Sequence, residues 1–195
     1  MNIDELIEQL DQANVYKRAE AVQLLELSRD SRVVDTLIKV LTNDPDAYVR
    51  SLAVSALGTL GDKRALEVLR GLLDKREEIT ASAIGALGKL RDIDVAPKLL
   101  TLLYDPDHAI RSAAISALCE LRYPPALAHF RTLIRDSNPV TRYEATLSLF
   151  SLGRALGDDI QADLEMLLSD PVEHIRKETQ LMLQLIRHGS GNNEV

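Results

Sequence analysis

Tryptophan is absent from this chain of 195 residues, cysteine occurs once, and aromatic residues of all kinds make up only 4%. A single cysteine, Cys119, excludes an intramolecular disulfide and fits a reducing compartment. Sheets draw on aromatic and β-branched residues, whereas the apolar 46% of this chain is dominated by leucine and alanine, both strong helix formers. The composition therefore predicts an all-α protein. Positive charge is also in short supply, with 23 Lys and Arg against 30 Asp and Glu, a net charge of −7 and a pI near 5.1. Nucleic-acid binders gain most of their affinity by neutralising phosphates with Lys and Arg, so a nucleic-acid partner is not expected. No apolar run approaches the roughly 18 residues that a membrane span needs. The start, Met1-Asn2-Ile3-Asp4-Glu5, has neither a basic n-region nor an apolar h-region. The expectation is a soluble, cytoplasmic protein without a membrane partner.

What the chain does have is self-similarity. From Asp44 it reads Asp-Pro-Asp-Ala-Tyr-Val-Arg-Ser-Leu-Ala-Val-Ser-Ala-Leu, and from Asp105 Asp-Pro-Asp-His-Ala-Ile-Arg-Ser-Ala-Ala-Ile-Ser-Ala-Leu. Asp136 and Asp170 begin two further copies, and Arg50, Arg111, Arg142 and Arg176 each follow an aspartate by six residues. A fifth copy begins at Asp74 with Thr80 in the arginine's place. A sixth contains Arg18, with Gln12 in place of the aspartate. Equivalent positions are 32, 30, 31, 31 and 34 residues apart. Such periods mark stacked helical pairs, each too small to bury its own apolar stripe.

Within a repeat, Val49, Ala53, Ala56, Leu57 and Leu60 follow the rhythm of one buried helix face. Asp44 or Asp46 can cap that helix, and Gly61 can end it in the left-handed conformation. Asp62 then caps a second, shorter helix from Ala65 to Leu73, with equivalents over 33–41, 95–103, 126–134 and 159–168. Residues 2–11 read as a lone N-terminal capping helix with Ile3, Leu6, Ile7 and Leu10 inward. Residues 188–195, without apolar periodicity, read as a disordered tail.

The consensus Asp-Pro-x-x-x-Val-Arg-x-x-Ala-x-x-Ala-Leu resembles the HEAT-repeat superfamily, and more narrowly the short HEAT-like repeats of phycobilisome lyases. The likeness covers about residues 12–187. It implies a right-handed α-α superhelix, a HEAT-like solenoid of about six two-helix repeats forming one array over residues 1–187. The arginine-bearing helices would line its concave side, and an aspartate–arginine ladder would tie adjacent repeats. Thr80 breaks that ladder, and a local flex point is expected there.

Chemistry is scarce. The histidines at 108, 129, 174 and 188 make no i, i+4 pair with one another or with Cys119. Deoxyhypusine hydroxylases, iron enzymes of similar fold, use His-Glu dipeptides, whereas Glu173-His174 is the reverse order. Cys119 occupies the place of Gly58 and Gly88 in earlier repeats. A reactive thiol needs a base or a cation beside it, and its neighbour is Glu120. No catalytic residue, metal ligand or cofactor is assigned.

The groove is assigned instead. Positions one, two, five and nine residues after the arginine should face solvent on the concave side. These give Ser51, Leu52, Ser55 and Thr59; Ser82 and Lys89; Ser112, Ser116 and Glu120; and Tyr143, Glu144 and Leu147, with Lys177, Glu178 and Leu181 in the last repeat. Small residues line its middle, which lets a partner approach the backbone closely. Tyr143 is the natural anchor, since aromatic residues are enriched among binding hot spots. The first expectation is a non-catalytic scaffold holding another protein in this groove. The alternative, carried by the resemblance alone, is a phycobilin lyase subunit or phycobilisome-associated factor that cradles an open-chain tetrapyrrole.

Overall fold

The computed structural model describes residues 2–75 and 77–190. Among them are twelve α-helices, four short 3-10 turns and no strand: α1 (Ile3–Gln9), α2 (Val15–Ser28), α3 (Val34–Asn43), α4 (Ala47–Leu60), α5 (Leu66–Leu72), α6 (Thr80–Lys89), α7 (Ala96–Leu102), α8 (His108–Glu120), α9 (Ala126–Leu133), α10 (Pro139–Leu156), α11 (Gln161–Met166) and α12 (Glu173–Ser190). The helices fall into two compact units, α1–α8 and α9–α12, parting at Leu121 and Arg122 just ahead of Pro124-Pro125.

The helices begin where short polar side chains can satisfy free N–H groups. Asn14, Asp46, Asp107 and Asn138 accept from the N–H two residues on, at Tyr16, Tyr48, Ala109 and Val140. Of the two candidate caps before α4 it is Asp46 that caps, while Asp44 tightens the loop by accepting the Asp46 N–H. Asp30 and Asp62 do the same for the turns that open the second helices of the first two repeats. Gly61 ends α4 at φ 74°. Arg29, Arg91 and Arg122 occupy the equivalent left-handed position at φ 51°, 56° and 49°, where a side chain is strained.

In the first unit α4 packs on α2, α6 on α4 and α8 on α6, while the second helices cover their flank. Leu25, Leu37, Leu57, Leu69, Ile84, Leu87, Leu99 and Leu118 are sealed from solvent between them, each contributing about 1.5–3 kcal/mol. The first helices approach closely because they meet through small residues. A Cβ added at Gly58 would lie 3.0 Å from Ala86 Cα, and one at Gly88 would lie 3.0 Å from Ala117 Cα. The helix α1 packs on α2 with Leu6 buried and Ile3, Ile7 and Leu10 half-buried. In the second unit Phe130, Leu149, Leu152 and Leu164 form the centre. Here α10 is four residues longer than α4, which accounts for the widened spacing of 34 between Arg142 and Arg176.

The expected tail requires a correction. The helix α12 runs on through Ser190, so residues 188–190 are helical rather than disordered; residues 191–195 lie outside the described residues. Apolar periodicity stops at Ile186, but backbone hydrogen bonds need no apolar side chain, and Arg187 and His188 suit the negative end of the helix dipole.

Candidate functional site

The aspartate–arginine pairs are built differently from their spacing. An arginine does not bond the carboxylate six residues before it. Its Nη1 donates to that residue's carbonyl and to the next one: Arg111 to Asp105 and Pro106 (2.7 and 3.0 Å), Arg176 to Asp170 and Pro171 (2.6 and 3.0 Å). The carboxylate comes from the following repeat. Arg18 grips Asp44 with Nε and Nη2 at 2.8 and 3.0 Å, and Arg142 grips Asp170 at 2.8 and 3.1 Å. Arg18 thus completes a fork although Gln12 replaces its own aspartate. Both pairs are buried. The Arg142 hydrogen bonds hold the Asp170 carboxyl below the usual carboxylate range against the opposing pull of burial. At Asp44 burial pushes upward, but the Arg18 and Asp46 bonds and the nearby cations outweigh it.

Thr80 cannot reach so far; it is buried and its Oγ1 donates to Leu72 O at 3.2 Å. One repeat earlier, Arg50 keeps its two carbonyl bonds but has no carboxylate fork among the described residues. Asp74 instead turns outward to Lys98 Nζ at 2.9 Å.

A second set of pairs, on the second helices, was not anticipated. Arg64 bonds Asp35 at 2.8 Å, Arg70 bonds Asp92 and Asp94, and Arg131 bonds Asp163 and Asp158 at 2.8 and 2.6 Å. For Arg70 and Arg131 the signal was present as an arginine in one second helix and aspartates opening the next, whereas Arg64 reaches back from the turn opening α5 to Asp35 of α3. These are structural links in the sense that each joins two packed repeats.

The proposed groove residues divide by unit. In the first, Ser55, Thr59, Ser82, Lys89, Ser116 and Glu120 are exposed, and Ser51, Leu52 and Ser112 half-buried. All nine lie on α4, α6 and α8. In the second, Leu147 is exposed, while Tyr143 and Glu144 are half-buried. Tyr143 packs against His174 with ring centroids 4.8 Å apart and the rings tilted by 40°, so its ring is braced by α12. None of the twelve is buried.

Two leucines extend this second face. Taking the arginine as origin, Leu181 and Leu185 of α12 occupy the places that Ser55 and Thr59 hold in α4, and they are 53% and 52% exposed. The sequence reading named Leu181 but not Leu185, although both stand at the positions it had defined. Two wide clefts lie elsewhere. One of about 720 Å³ opens between α3 and α5, where Arg50, Arg64 and Lys75 face Asp44, Glu67 and Glu77; one of about 500 Å³ opens between α1 and α3. Equal numbers of opposite charges leave the first without a net field for an ionic ligand. Among the described residues no cluster of three His, Cys, Asp or Glu could hold a metal, and no helix is long and apolar enough to cross a membrane.

Comparison with known proteins follows from this repeat. The HEAT repeats family model matches residues 3–88 and 72–149. Over 132 residues the chain is 33% identical to phycocyanin operon protein Y of Pseudanabaena tenuis, which covers 66% of this chain and 31% of that protein. It is 28% identical over 138 residues to the bilin biosynthesis protein PecE of Mastigocladus laminosus, covering 70% of this chain and 51% of that one. The chain therefore spans about a third and about half of these two relatives. Among solved structures, a chain of the CpcE–CpcF complex of phycocyanin lyase from Nostoc superposes with a TM-score of 0.68 at 21% identity, over 92% of this chain and 74% of that one. A designed armadillo repeat protein superposes at 0.57 with 18% identity, over 94% and 99%.

Proposed function

This chain belongs to the HEAT-repeat family, and from that premise we propose that it is a binding subunit in the handling of open-chain tetrapyrroles destined for phycobiliproteins, acting together with a protein partner. The observation that carries the reading is the 33% identity to a phycocyanin operon protein over two thirds of the chain, joined by the likeness to PecE. The CpcE–CpcF complex adds a precedent for a chain of this fold working in a pair. On this reading the expectation of a protein-holding face is kept, and its general scaffold role is narrowed to the tetrapyrrole pathway that had stood as the alternative.

The division of labour follows from the residues. A stacked-repeat chain offers extended exposed helix faces, and here they carry serines, a threonine and isolated charges in the first unit and a tyrosine with leucines in the second. Such faces position a partner; the thiol that accepts the tetrapyrrole would belong to the phycobiliprotein. The test is spectroscopic. The purified chain is mixed with a linear tetrapyrrole, alone and with a second HEAT-repeat chain from the same organism, and the visible spectrum is recorded. A red-shifted, sharpened band is expected in the presence of the partner chain. An unchanged spectrum in both mixtures removes the tetrapyrrole role.

A further inference from the structure

The exposed face of α10 and α12 departs from the rule that the other repeats follow. Five and nine residues after the arginine the side chains are not buried, although at the ninth place Lys89 and Glu120 lie against Gly58 and Gly88 of the preceding first helix. In α4, α6 and α8 they are Ser55 and Thr59, Gly85 and Lys89, Ser116 and Glu120. In the second unit they are Leu147 with Ser151, and Leu181 with Leu185. Leu181 and Leu185 are more than half exposed and Leu147 is 37% exposed. Meanwhile Gln180, Gln184 and Arg187, at places equivalent to Val54, Gly58 and Gly61, are exposed and polar. The side of α12 that would meet a further repeat is thus wetted, while the open face is apolar. That distribution selects the face and not the end of the helix as the surface to be covered.

We infer that this face, formed by Tyr143, Leu147, Leu181 and Leu185, is the docking site for an amphipathic helix of another protein that carries basic residues beside its apolar stripe. Two packed helices each present an apolar pair at i, i+4, which makes two parallel ridges; a third helix inserts its own ridge into the groove between such rows. Tyr143, fixed by His174, is an anchor that loses little freedom on binding. Charge decides the flank of the occupant. Glu178 sits one residue after Lys177, Lys177 is already bound to Glu173 at 2.6 Å, and the whole chain carries −7. A carboxylate-bearing tetrapyrrole laid on the same leucines would meet that acid and the overall negative charge, whereas lysines or arginines would be drawn to them. At the other end, Leu185 borders a recess of about 290 Å³ lined by Arg154, Asp158 and Asp159, wide enough for one side chain of the incoming helix. The inference rests on only one part of the proposed function, that the chain works by holding a protein.

The experiment uses the full chain and a fluorescent peptide of about eighteen residues, five helical turns, built from leucine, alanine and lysine with the leucines on one stripe. A second peptide has glutamate for lysine, and a third has the same composition scrambled off the stripe. The lysine peptide is expected to bind, the other two to bind at least about tenfold more weakly. Leu181→Ser with Leu185→Thr, which copies the second repeat, is expected to weaken it by a further tenfold or so with an unchanged thermal melt; Leu147→Ser, on the other helix, gives an independent reading. Equal binding of all three peptides, or indifference to both variants, overturns the assignment. A tetrapyrrole whose band shift vanishes in the double variant while the peptide fails to bind also overturns it and leaves the proposed function standing. Peptide binding without any tetrapyrrole effect supports the docking site and removes only the pathway.

Discussion

Two glycines of one helix should respond with opposite sign to the same substitution. Gly85 and Gly88 both lie in α6, three residues apart. A Cβ at Gly85 meets nothing within 4 Å, so Gly85→Ala gains the helix preference of alanine over glycine, about 0.5–1 kcal/mol. A Cβ at Gly88 lies 3.0 Å from Ala117 Cα, 3.1 Å from Ala117 Cβ and 3.2 Å from Glu120 Oε2. Carbon atoms in contact prefer about 3.5–4.0 Å. The glutamate can swing aside, but Ala117 Cα belongs to the backbone of α8 and moves only if the helix moves. Overpacking of that kind costs about 1–3 kcal/mol, which exceeds the propensity gain. Gly88→Ala should lose about 0.5–2 kcal/mol while Gly85→Ala gains, a separation of several degrees in melting temperature at about 2–4 °C per kcal/mol. Urea unfolding followed by far-ultraviolet circular dichroism at constant m-value reads both. If the two variants shift the midpoint in the same direction, the account of how α6 and α8 approach is wrong.

The buried forks give a pH dependence. The Asp170 carboxyl is held lower folded than the roughly 3.9 of an unfolded aspartate, so the folded state binds fewer protons there. Its contribution is complete above about pH 4 and is lost as pH falls through the depressed value; Asp170→Asn should flatten the acid limb of stability against pH, and an unchanged limb refutes it. Arg142→Met should be more damaging, about 3–5 kcal/mol, because it strands a buried carboxylate, as measured by the loss of urea midpoint. Gly61→Ala, at φ 74°, should lose about 1 kcal/mol; a melt as stable as the parent's refutes the strain. Hydrogen exchange should be faster over the first turn of α6, which lacks a side-chain cap and carries Thr80 for arginine, than over α4 and α8, capped by Asp46 and Asp107. Equal protection removes the flex point.

The repeat was legible because stacking imposes it locally. The stripe of Val49, Ala53, Ala56 and Leu57, the cap at Asp46 and the left-handed Gly61 are each decided within one helix turn, and each stands in the structure as its residues dictate. What escaped depends on how repeats superpose. The ladder between repeats that the resemblance implied is present where Arg18 meets Asp44 and Arg142 meets Asp170, but Arg70 finds Asp92 22 residues away, a distance that no local rule sets. Arg29, Arg91 and Arg122 were invisible as helix ends because glycine is the residue type that marks a left-handed position, and here arginine takes that conformation instead. The end of α12 was placed at 187 because apolar spacing, the only signal used, ceases before the backbone hydrogen bonds do.

The same separation tells where function can be written in such a chain. Positions three, six and seven after the arginine are committed to the core: Ala53, Ala56 and Leu57 in α4, with Ala83, Ala86 and Leu87 in α6, are all buried. The eighth is committed where first helices touch, as at Gly58 and Gly88. Positions five and nine are not buried, and an apolar residue there exposes much of its surface to water. Leucine nevertheless occupies them four times, at Leu27, Leu147, Leu181 and Leu185, three of the four in the second unit. Exposed leucines scattered singly need no explanation, and Leu27 is of that kind. Three on two packed helices, beside a braced tyrosine, are what the docking face inferred above would explain. Substituting them with the residues of the second repeat should therefore leave the melt where it was and cost only binding.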